Sequence, residues 1–278
     1  MTVQESHTAG NSEHSIFDIL GRCKDFLEFN RILGLPSKPG MPDMPIYDYE
    51  LKVLNELLRL DGTPKDKHVC WLKSRVLGCS WCMLRIMTYL GLDELAGTQM
   101  AIVTGNRVEL SVSLISTIKS WFTRNHGYLF GTKETVVQFP NGTTITGYPG
   151  RIDAMRGQSF SFVMADEFAF FEKSQQDSVI DVITGFIQKG DPYLVLLSTG
   201  NEPMDGMDKI MQEDESETIW HRLKMDYTSN AIKETLAIFI ALCKFISAAM
   251  SGVEIHCCIA GAIAASRVLK RGQIFWAF

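Results

Sequence analysis

The sequence lacks the features that mark secreted, membrane-spanning and strongly basic proteins. Its first 14 residues are polar and contain no apolar run of the kind found in a secretory signal peptide. The formal net charge of −5 excludes binding of polyanions over the whole surface, so any nucleic-acid surface must be local or formed by an oligomer. The most apolar region is broken by Lys244, Glu254 and His256 and never reaches the roughly 18 uncharged residues of a membrane span. We expect a chain that works in the cytoplasm of a cell and has no membrane partner.

The sequence also has little that would form disulfides or bind zinc. Seven cysteines are an odd count, which together with the missing signal peptide indicates reduced, intracellular thiols. Cys79 and Cys82 have C-x-x-C spacing, but their surroundings are not those of a redox motif, and we interpret the spacing as a coincidence. The six histidines form no pair at metal-ligand spacing, so we expect no zinc site.

What the sequence does contain is the composition of a globular α/β protein. With 278 residues, 46% of them hydrophobic, the chain can form one large domain or two smaller ones. The last fifty residues change character, being rich in Ala, Ile and Cys and free of proline, which suggests either a packed helical pair or an aberrant C-terminus from truncation or a frame change. We divide the chain into a disordered leader, a helical region, a core and an atypical apolar tail, at residues 1–14, 15–60, 61–227 and 228–278.

The core alternates between apolar runs and helical patterns. Such alternation predicts a mostly parallel sheet with helices on both faces, in which ligands bind at the carboxyl ends of the strands. Asn141-Gly142 between two alternating runs predicts a β-hairpin over residues 136–149. The predicted strands are 68–73, 100–105, 162–166 and 193–199, and the predicted helices are 47–60, 80–90, 108–124 and 178–188.

The turn between the first predicted strand and its helix is placed where a phosphate-binding loop would be. In WLKSRVLGCSW (71–81), Gly78 and Ser80 lie before a helix N-terminus, whose backbone N–H groups can bind an anion. The full G-x-x-x-x-G-K-[ST] pattern is not met, because Lys73 replaces the first glycine and Cys79 replaces the usual lysine. Taken alone, the segment is a weak motif and favours an ordinary strand-to-helix turn.

A second strand, FVMAD (162–166), ends in two acids. Asp166 and Glu167 form the Walker B arrangement, in which the first acid holds Mg²⁺ and the second orients or deprotonates an attacking water. The alternative is that these acids cap a following helix. A third strand, LVLLSTGN (194–201), ends in small polar residues that could sense a γ-phosphate or simply form a turn. The order of loop, acidic strand and polar strand is what makes the three segments informative together.

With these segments in place, the chain resembles the ATPase domain of the large terminase subunit, the DNA-packaging motor of tailed viruses and proviruses. The resemblance covers about residues 44–227 and rests on KSRVLGCS, MAIVTGNRVELS, GYPGRIDAMRGQSFSFVMADEFAFF and LLSTGN. Some terminases have a similarly altered loop, with the lysine moved to its start. The resemblance implies a P-loop NTPase fold of the ASCE type, with ATP and Mg²⁺ as substrate and cofactor.

The resemblance also implies a role for individual residues. Lys73 would neutralise phosphate, Arg75 would contact the γ-phosphate or act as a sensor, and Glu167 would be the catalytic carboxylate. Ser80 and Asp166 would hold Mg²⁺. The remaining nucleotide-binding positions would be Ser74, Gly78 and Cys79 in the loop, and Ser198 and Thr199 in a coupling motif. Tyr47 or Tyr49 would stack on the adenine, or the segment is simply a helix N-terminus. Arg156 would be a catalytic arginine finger, in cis or towards a neighbouring subunit, or else a surface or structural arginine.

The partners that the resemblance implies are double-stranded DNA, a homo-oligomeric ring, the portal and the small terminase subunit. A nuclease activity is not expected, because after residue 227 the only acids are Glu234 and Glu254 and neither ends a convincing strand. Two alternatives stay open at this point. The chain could be another nucleic-acid-dependent, helicase-like ATPase, or a catalytically impaired or truncated remnant that only binds nucleotide.

Overall fold

The core of the chain is a seven-stranded sheet in a computed structural model that describes residues 15–34, 50, 53, 57, 67–75, 77–149 and 152–225. The predicted leader, the tail and Tyr47 lie outside these residues. The strand order is β3-β4-β2-β5-β6-β1-β7. The strands are β1 (His68–Lys73), β2 (Gln99–Val103), β3 (Val136–Gln138), β4 (Thr144–Tyr148), β5 (Phe162–Asp166), β6 (Tyr193–Ser198) and β7 (His221–Met225).

All pairs of neighbouring strands are parallel except β3 and β4, which form the predicted hairpin around Asn141-Gly142. The central strands β5 and β6 are buried along their whole length, which explains why their sequences are continuously apolar rather than alternating. Near the sheet edge, β4 alternates between buried and half-buried positions, as expected for a strand with one covered face. The expected mostly parallel sheet is therefore confirmed.

Helices cover both faces of this sheet, and each face has its own hydrophobic core. One core packs around Trp71, Trp121 and Phe162, and the other around Phe168 and Val163. The helices are α1 (Ile16–Leu20), α2 (Phe26–Leu33), α3 (Cys79–Leu92), α4 (Val108–His126), α5 (Lys173–Thr184) and α6 (Gly206–Gln212), with short 3-10 turns at Ile152–Met155 and Phe168–Phe170. Helix α3 is buried almost all round, because the sheet lies on one side of it and the N-terminal helices on the other.

The structure differs from the sequence-based expectation in three places. The N-terminal helical pattern is two short helices, because the chain turns at Gly21 and the Asp25 side chain caps a new helix by accepting a hydrogen bond from the Glu28 N–H. Helix α5 begins at Lys173 and ends at Thr184, earlier at both ends than predicted. Strand β7 has no counterpart in the prediction, since its sequence HRLKM is charged and only its last residue is buried.

A buried ion pair fixes the N-terminal region to α3. Arg85 Nη2 lies 2.6 Å from Glu50 Oε1, and both side chains are almost completely buried. The Arg85 guanidinium also donates to Asn30 Oδ1 in α2. Glu50, Val53 and Leu57 are helical and buried, in agreement with the amphipathic helix predicted over that region.

Within the described ranges, no helix combines the length and the apolar character needed to cross a bilayer.

Candidate active site

The three predicted site segments meet at one edge of the sheet, because β1, β5 and β6 are parallel and end at the same level. Strand β6 lies between β1 and β5, so it separates the strand that precedes the loop from the strand that ends in the acids. The register places Leu72 opposite Ser198 and Asp166 opposite Leu197. This arrangement follows the rule that ligands bind beyond the carboxyl ends of parallel strands.

The turn after β1 delivers the N-terminus of α3 to this edge. Gly78 is the residue before the helix and has φ = 78°, a left-handed conformation that glycine adopts without a steric cost. No side chain caps the helix, and its first turn contains no acid. The free N–H groups and the helix dipole are thus available to an anion at this position.

Ser80, in the first turn of α3, contacts the first acid of the pair. Its Oγ donates a hydrogen bond to Asp166 Oδ1 at 2.9 Å, and the Glu167 backbone N–H donates to the same oxygen at 3.1 Å. Asp166 is 1% exposed. Burial raises its pKa to about 6, against the opposing effects of the Lys73 charge and the Ser80 hydrogen bond. A buried carboxylate with so few donors is one that a cation would stabilise.

The second acid has different partners from the first. Glu167 has φ = 56°, a left-handed conformation that is uncommon for residues other than glycine and that concentrates at functional sites. Its Oε1 lies 3.0 Å from Lys73 Nζ, and its Oε2 accepts a hydrogen bond from Thr199 Oγ1 at 3.4 Å. Glu167 occupies the N-cap position of the following 3-10 turn, but its side chain forms no capping hydrogen bond there and is directed to Lys73 and Thr199 instead.

The two residues at the end of β6 have different roles. Ser198 Oγ accepts from the Ala169 backbone N–H and donates to the Thr199 carbonyl, so the hydroxyl is bonded in both directions inside the protein. Thr199 instead reaches Glu167 and lines the cavity described next. Ser198 therefore supports the segment that follows the acids, and Thr199 is the member of the pair that a ligand can meet.

A cavity of about 510 Å³ opens in front of these groups. Lys73, Glu167 and Thr199 line it from the predicted segments, and Arg75 lies with its guanidinium carbon 6.0 Å from the centre of the Phe170 ring.

Arg107, which follows β2, is a lining residue that the sequence analysis does not identify. The only hint in the sequence is its position a few residues after a buried strand, MAIV, in a segment shared with the resembled family. With Arg107 included, the described part of the cavity wall has three cations and one carboxylate, so the cavity favours anions.

Three other predicted site residues, Ser74, Cys79 and Arg156, are not among the described residues that line the cavity. Ser74 is near the cavity, with its backbone N–H bonded to the Met225 carbonyl. Cys79 is buried, and burial raises the pKa of its thiol to about 12, so it is an inert packing residue that contributes a backbone N–H at most. Arg156 is exposed and pairs with Asp153 at 2.8 Å, and it is not among the described residues that line the cavity.

The oxygen atoms of Ser80 and Asp166 fit a magnesium ion. Mg²⁺ prefers hard oxygen ligands, usually one or two from the protein with the remainder from phosphates and water. The described residues contain no cluster of three or more His, Cys, Asp or Glu side chains, which a zinc site or a dinuclear site would require. A hydroxyl and a buried carboxylate 2.9 Å apart, next in sequence to the cavity-lining Glu167, agree with a magnesium site that has one or two protein ligands.

Two solved structures share this architecture. The large terminase of bacteriophage HK97 matches with a TM-score of 0.52 and 13% identity, over 76% of this chain and 43% of that one. A large terminase from a thermophilic bacteriophage matches with a TM-score of 0.51 and 14% identity, over 66% of this chain and 46% of that one. This chain spans less than half the length of these two proteins. No family model and no curated protein matches by sequence. The chain has the P-loop NTPase fold found in large terminases, and the expected fold is thereby confirmed.

Proposed function

We propose that this chain is the ATPase motor domain of a large terminase, which hydrolyses ATP with Mg²⁺ and moves double-stranded DNA into a viral capsid. The observation that carries the proposal is the hydrogen bond of 2.9 Å between Ser80 Oγ and Asp166 Oδ1. These residues are 86 positions apart in sequence, and the proposed chemistry requires them to share one cation. The terminase fold and the cationic cavity beside them support the same conclusion.

The proposed binding mode follows from the positions of the charged groups. The triphosphate lies across the N-terminus of α3, where Gly78 allows close approach of the backbone. Lys73 leaves Glu167 and neutralises phosphate oxygens, and Arg75 contacts the outer phosphate from the exposed side of the cavity. Ser80 and Asp166 hold the magnesium ion, whose charge stabilises the phosphate oxygens when it is bound.

The proposed reaction needs one positioned base. Glu167, released from Lys73, accepts a proton from the attacking water as the water oxygen bonds to the γ-phosphorus and the bond to the β–γ bridging oxygen breaks. Thr199 fixes the orientation of the carboxylate through its hydroxyl and its N–H. Lys73 and Arg75 stabilise the charge that develops on the phosphoryl oxygens. Products are ADP and inorganic phosphate.

We propose the role of Arg156, the partners, the domain limits and the role of Tyr47 from the resemblance to large terminases. Arg156 is exposed and held by a surface ion pair, which suits a finger that enters the active site of a neighbouring subunit better than one that acts in its own chain. A homo-oligomeric ring, the portal and the small terminase subunit are the proposed partners. The domain limits at residues 61 and 227 and the contact of Tyr47 with adenine are proposed in the same way.

ATP turnover by the purified chain tests the proposal. We expect release of phosphate that requires Mg²⁺, increases with double-stranded DNA and is abolished by Lys73→Ala. Equal stimulation by single-stranded DNA would favour the helicase-like alternative, and nucleotide binding without turnover would favour the impaired remnant. Turnover that Lys73→Ala does not change would overturn the proposed mechanism.

A further inference from the structure

Arg107 is a charged residue of the cavity that the roles above do not use. It directly precedes α4, after the loop that leaves β2. Strand β2 pairs with β5 on the side away from β6, so Arg107 approaches the cavity from beyond the acids, opposite the phosphate-binding turn. Among the described residues, no carboxylate forms an ion pair with its guanidinium. A cation at the edge of this cavity that pairs with no described carboxylate is available to a ligand.

The loop before Arg107 is held rigidly, which matters because a flexible arginine would contribute little to recognition. Thr104 Oγ1 donates to the Arg107 carbonyl at 3.0 Å. The Asn106 amide donates to Glu172 Oε1 at 2.9 Å. Gly105 has φ = 56° and lies so close to Phe171 that a Cβ atom there would come within 2.8 Å of the ring. The backbone that positions Arg107 is thus fixed against the segment that follows the two acids.

We propose that Arg107 binds the terminal phosphate of the nucleotide and distinguishes ATP from ADP. The inference rests on the proposed function. Lys73 lines the cavity at the end of β1, and α3 begins after the turn that follows it, so the inner phosphates would bind at the β1 side. In the strand order, β5 lies between β2 and β1, so Glu167 at the end of β5 stands between Arg107 and the β1 side, where water would attack the outermost phosphorus. A guanidinium beyond Glu167 therefore meets only the phosphate that ATP has and ADP lacks.

The charge balance supports this assignment. Lys73 neutralises Glu167 in the structure, which leaves Arg75 and Arg107 as the two unneutralised cations among the described residues of the cavity lining. Arg75 lies against Phe170, so one face of its guanidinium is occupied by the ring. No acceptor among the residues that the structure describes binds the Arg107 guanidinium, and a guanidinium can bind two phosphate oxygens at once.

Equilibrium binding of ADP and of a non-hydrolysable ATP analogue, both with Mg²⁺, tests the inference on the full chain. We expect Arg107→Gln to weaken analogue binding roughly tenfold to a hundredfold, the usual range for a lost charge-assisted hydrogen bond, with ADP affinity changed less than about threefold. Arg107→Lys should recover part of the loss. Arg124→Gln, the same substitution at the other end of α4, is the matched control and should change neither affinity.

The outcomes separate this inference from the proposed function. If the wild-type chain binds both nucleotides and Arg107→Gln weakens both equally, or neither, the discrimination role is wrong while the ATPase proposal survives. If the variant loses only affinity for double-stranded DNA, the guanidinium binds a phosphodiester instead and the inference is overturned. If the wild-type chain binds no nucleotide, the proposed function and the inference both fail.

Discussion

Lys73 Nζ lies 3.0 Å from Glu167 Oε1, so the lysine proposed to bind phosphate is paired with the acid proposed to activate water. Both groups stand at the cavity, and the lysine side chain is the more deeply buried of the two. The same ammonium cannot neutralise Glu167 and a phosphate with equal strength. Nucleotide binding should therefore separate the pair, which frees the carboxylate only when a substrate is present.

Replacing the acid tests this arrangement. Glu167→Gln removes the base and also the charge that holds Lys73, so we expect kcat to fall about 10²- to 10⁴-fold while nucleotide affinity stays equal or increases. Glu215→Gln, the same change at an exposed position, should have no effect. Steady-state turnover and equilibrium binding measure the two quantities. Weaker nucleotide binding by Glu167→Gln would show that the pair does not restrain Lys73.

Substitutions of the two proposed magnesium ligands should change the Mg²⁺ requirement for turnover but not lower the stability of the nucleotide-free protein by much. Asp166→Asn removes a carboxylate whose pKa is raised by burial, so the free protein should be at least as stable as wild type in urea unfolding. Ser80→Ala should leave stability within about 1 kcal/mol, since one hydrogen bond is lost. Both variants should raise the Mg²⁺ concentration needed for half-maximal turnover at least about tenfold. An unchanged Mg²⁺ requirement would remove these residues from the metal site.

The ion pair between Arg85 in α3 and Glu50 in the N-terminal region should be needed for stability but should take no part in ATP hydrolysis. Arg85→Ala leaves Glu50 without its guanidinium partner in a buried site, and we expect a loss of about 3–5 kcal/mol in the free energy of unfolding. The double variant Arg85→Met, Glu50→Leu should recover much of this loss, because it removes both charges. Urea denaturation of the two variants gives the comparison. A single variant as stable as wild type would contradict the structural role.

His68 should make stability depend on pH. Burial lowers its pKa below the ordinary value of 6.5, partly opposed by the charge of Asp191. The folded state thus favours the neutral ring. The contribution of His68 to the free energy of unfolding is therefore fully present above about pH 6.5, and it is lost as the pH falls through the lower folded-state pKa. We expect His68→Gln to be less sensitive to acid than wild type when unfolding is compared above and below this range. If wild type and His68→Gln lose the same free energy of unfolding as the pH falls, His68 is not the source of the acid sensitivity.

The proposed boundary of the core can be tested directly. If residues 61–227 form the ATPase core with the N-terminal helices packed on it, limited proteolysis should leave a resistant fragment that ends near residue 227. Mass spectrometry of the fragment identifies its ends. Digestion that first cuts inside β5 or β6 would argue against this division of the chain.

Much of the site could be predicted because its segments have strong local patterns. The continuous apolar runs of β5 and β6 made the polar residues that end them conspicuous, and the rule for parallel strands placed those ends at one edge. The distance between Ser80 and Asp166 could not be derived this way, since it depends on which strands are neighbours. That β6 lies between β1 and β5 is a property of the assembled sheet, which no single segment records.

Two features have little or no signal in the sequence. Strand β7 is charged and lies at the edge of the sheet, where pairing with β1 rather than burial determines its conformation. Arg107 depends on a loop fixed by contacts from Asn106 and Gly105 to a distant segment, and no periodic pattern records such contacts. Tertiary contacts of this kind cannot be predicted from the spacing of residues in the sequence.

The uniform burial of β6 has a consequence for how the chain finds its correct alignment. All six residues of YLVLLS are buried, so sliding the strand by one position would exchange one apolar face for another at little cost. Ser198 breaks this ambiguity, because only one alignment lets its hydroxyl reach Ala169. Ser198 thus fixes the register of β6 in the sheet. The spacing of the groups proposed for catalysis depends on this register.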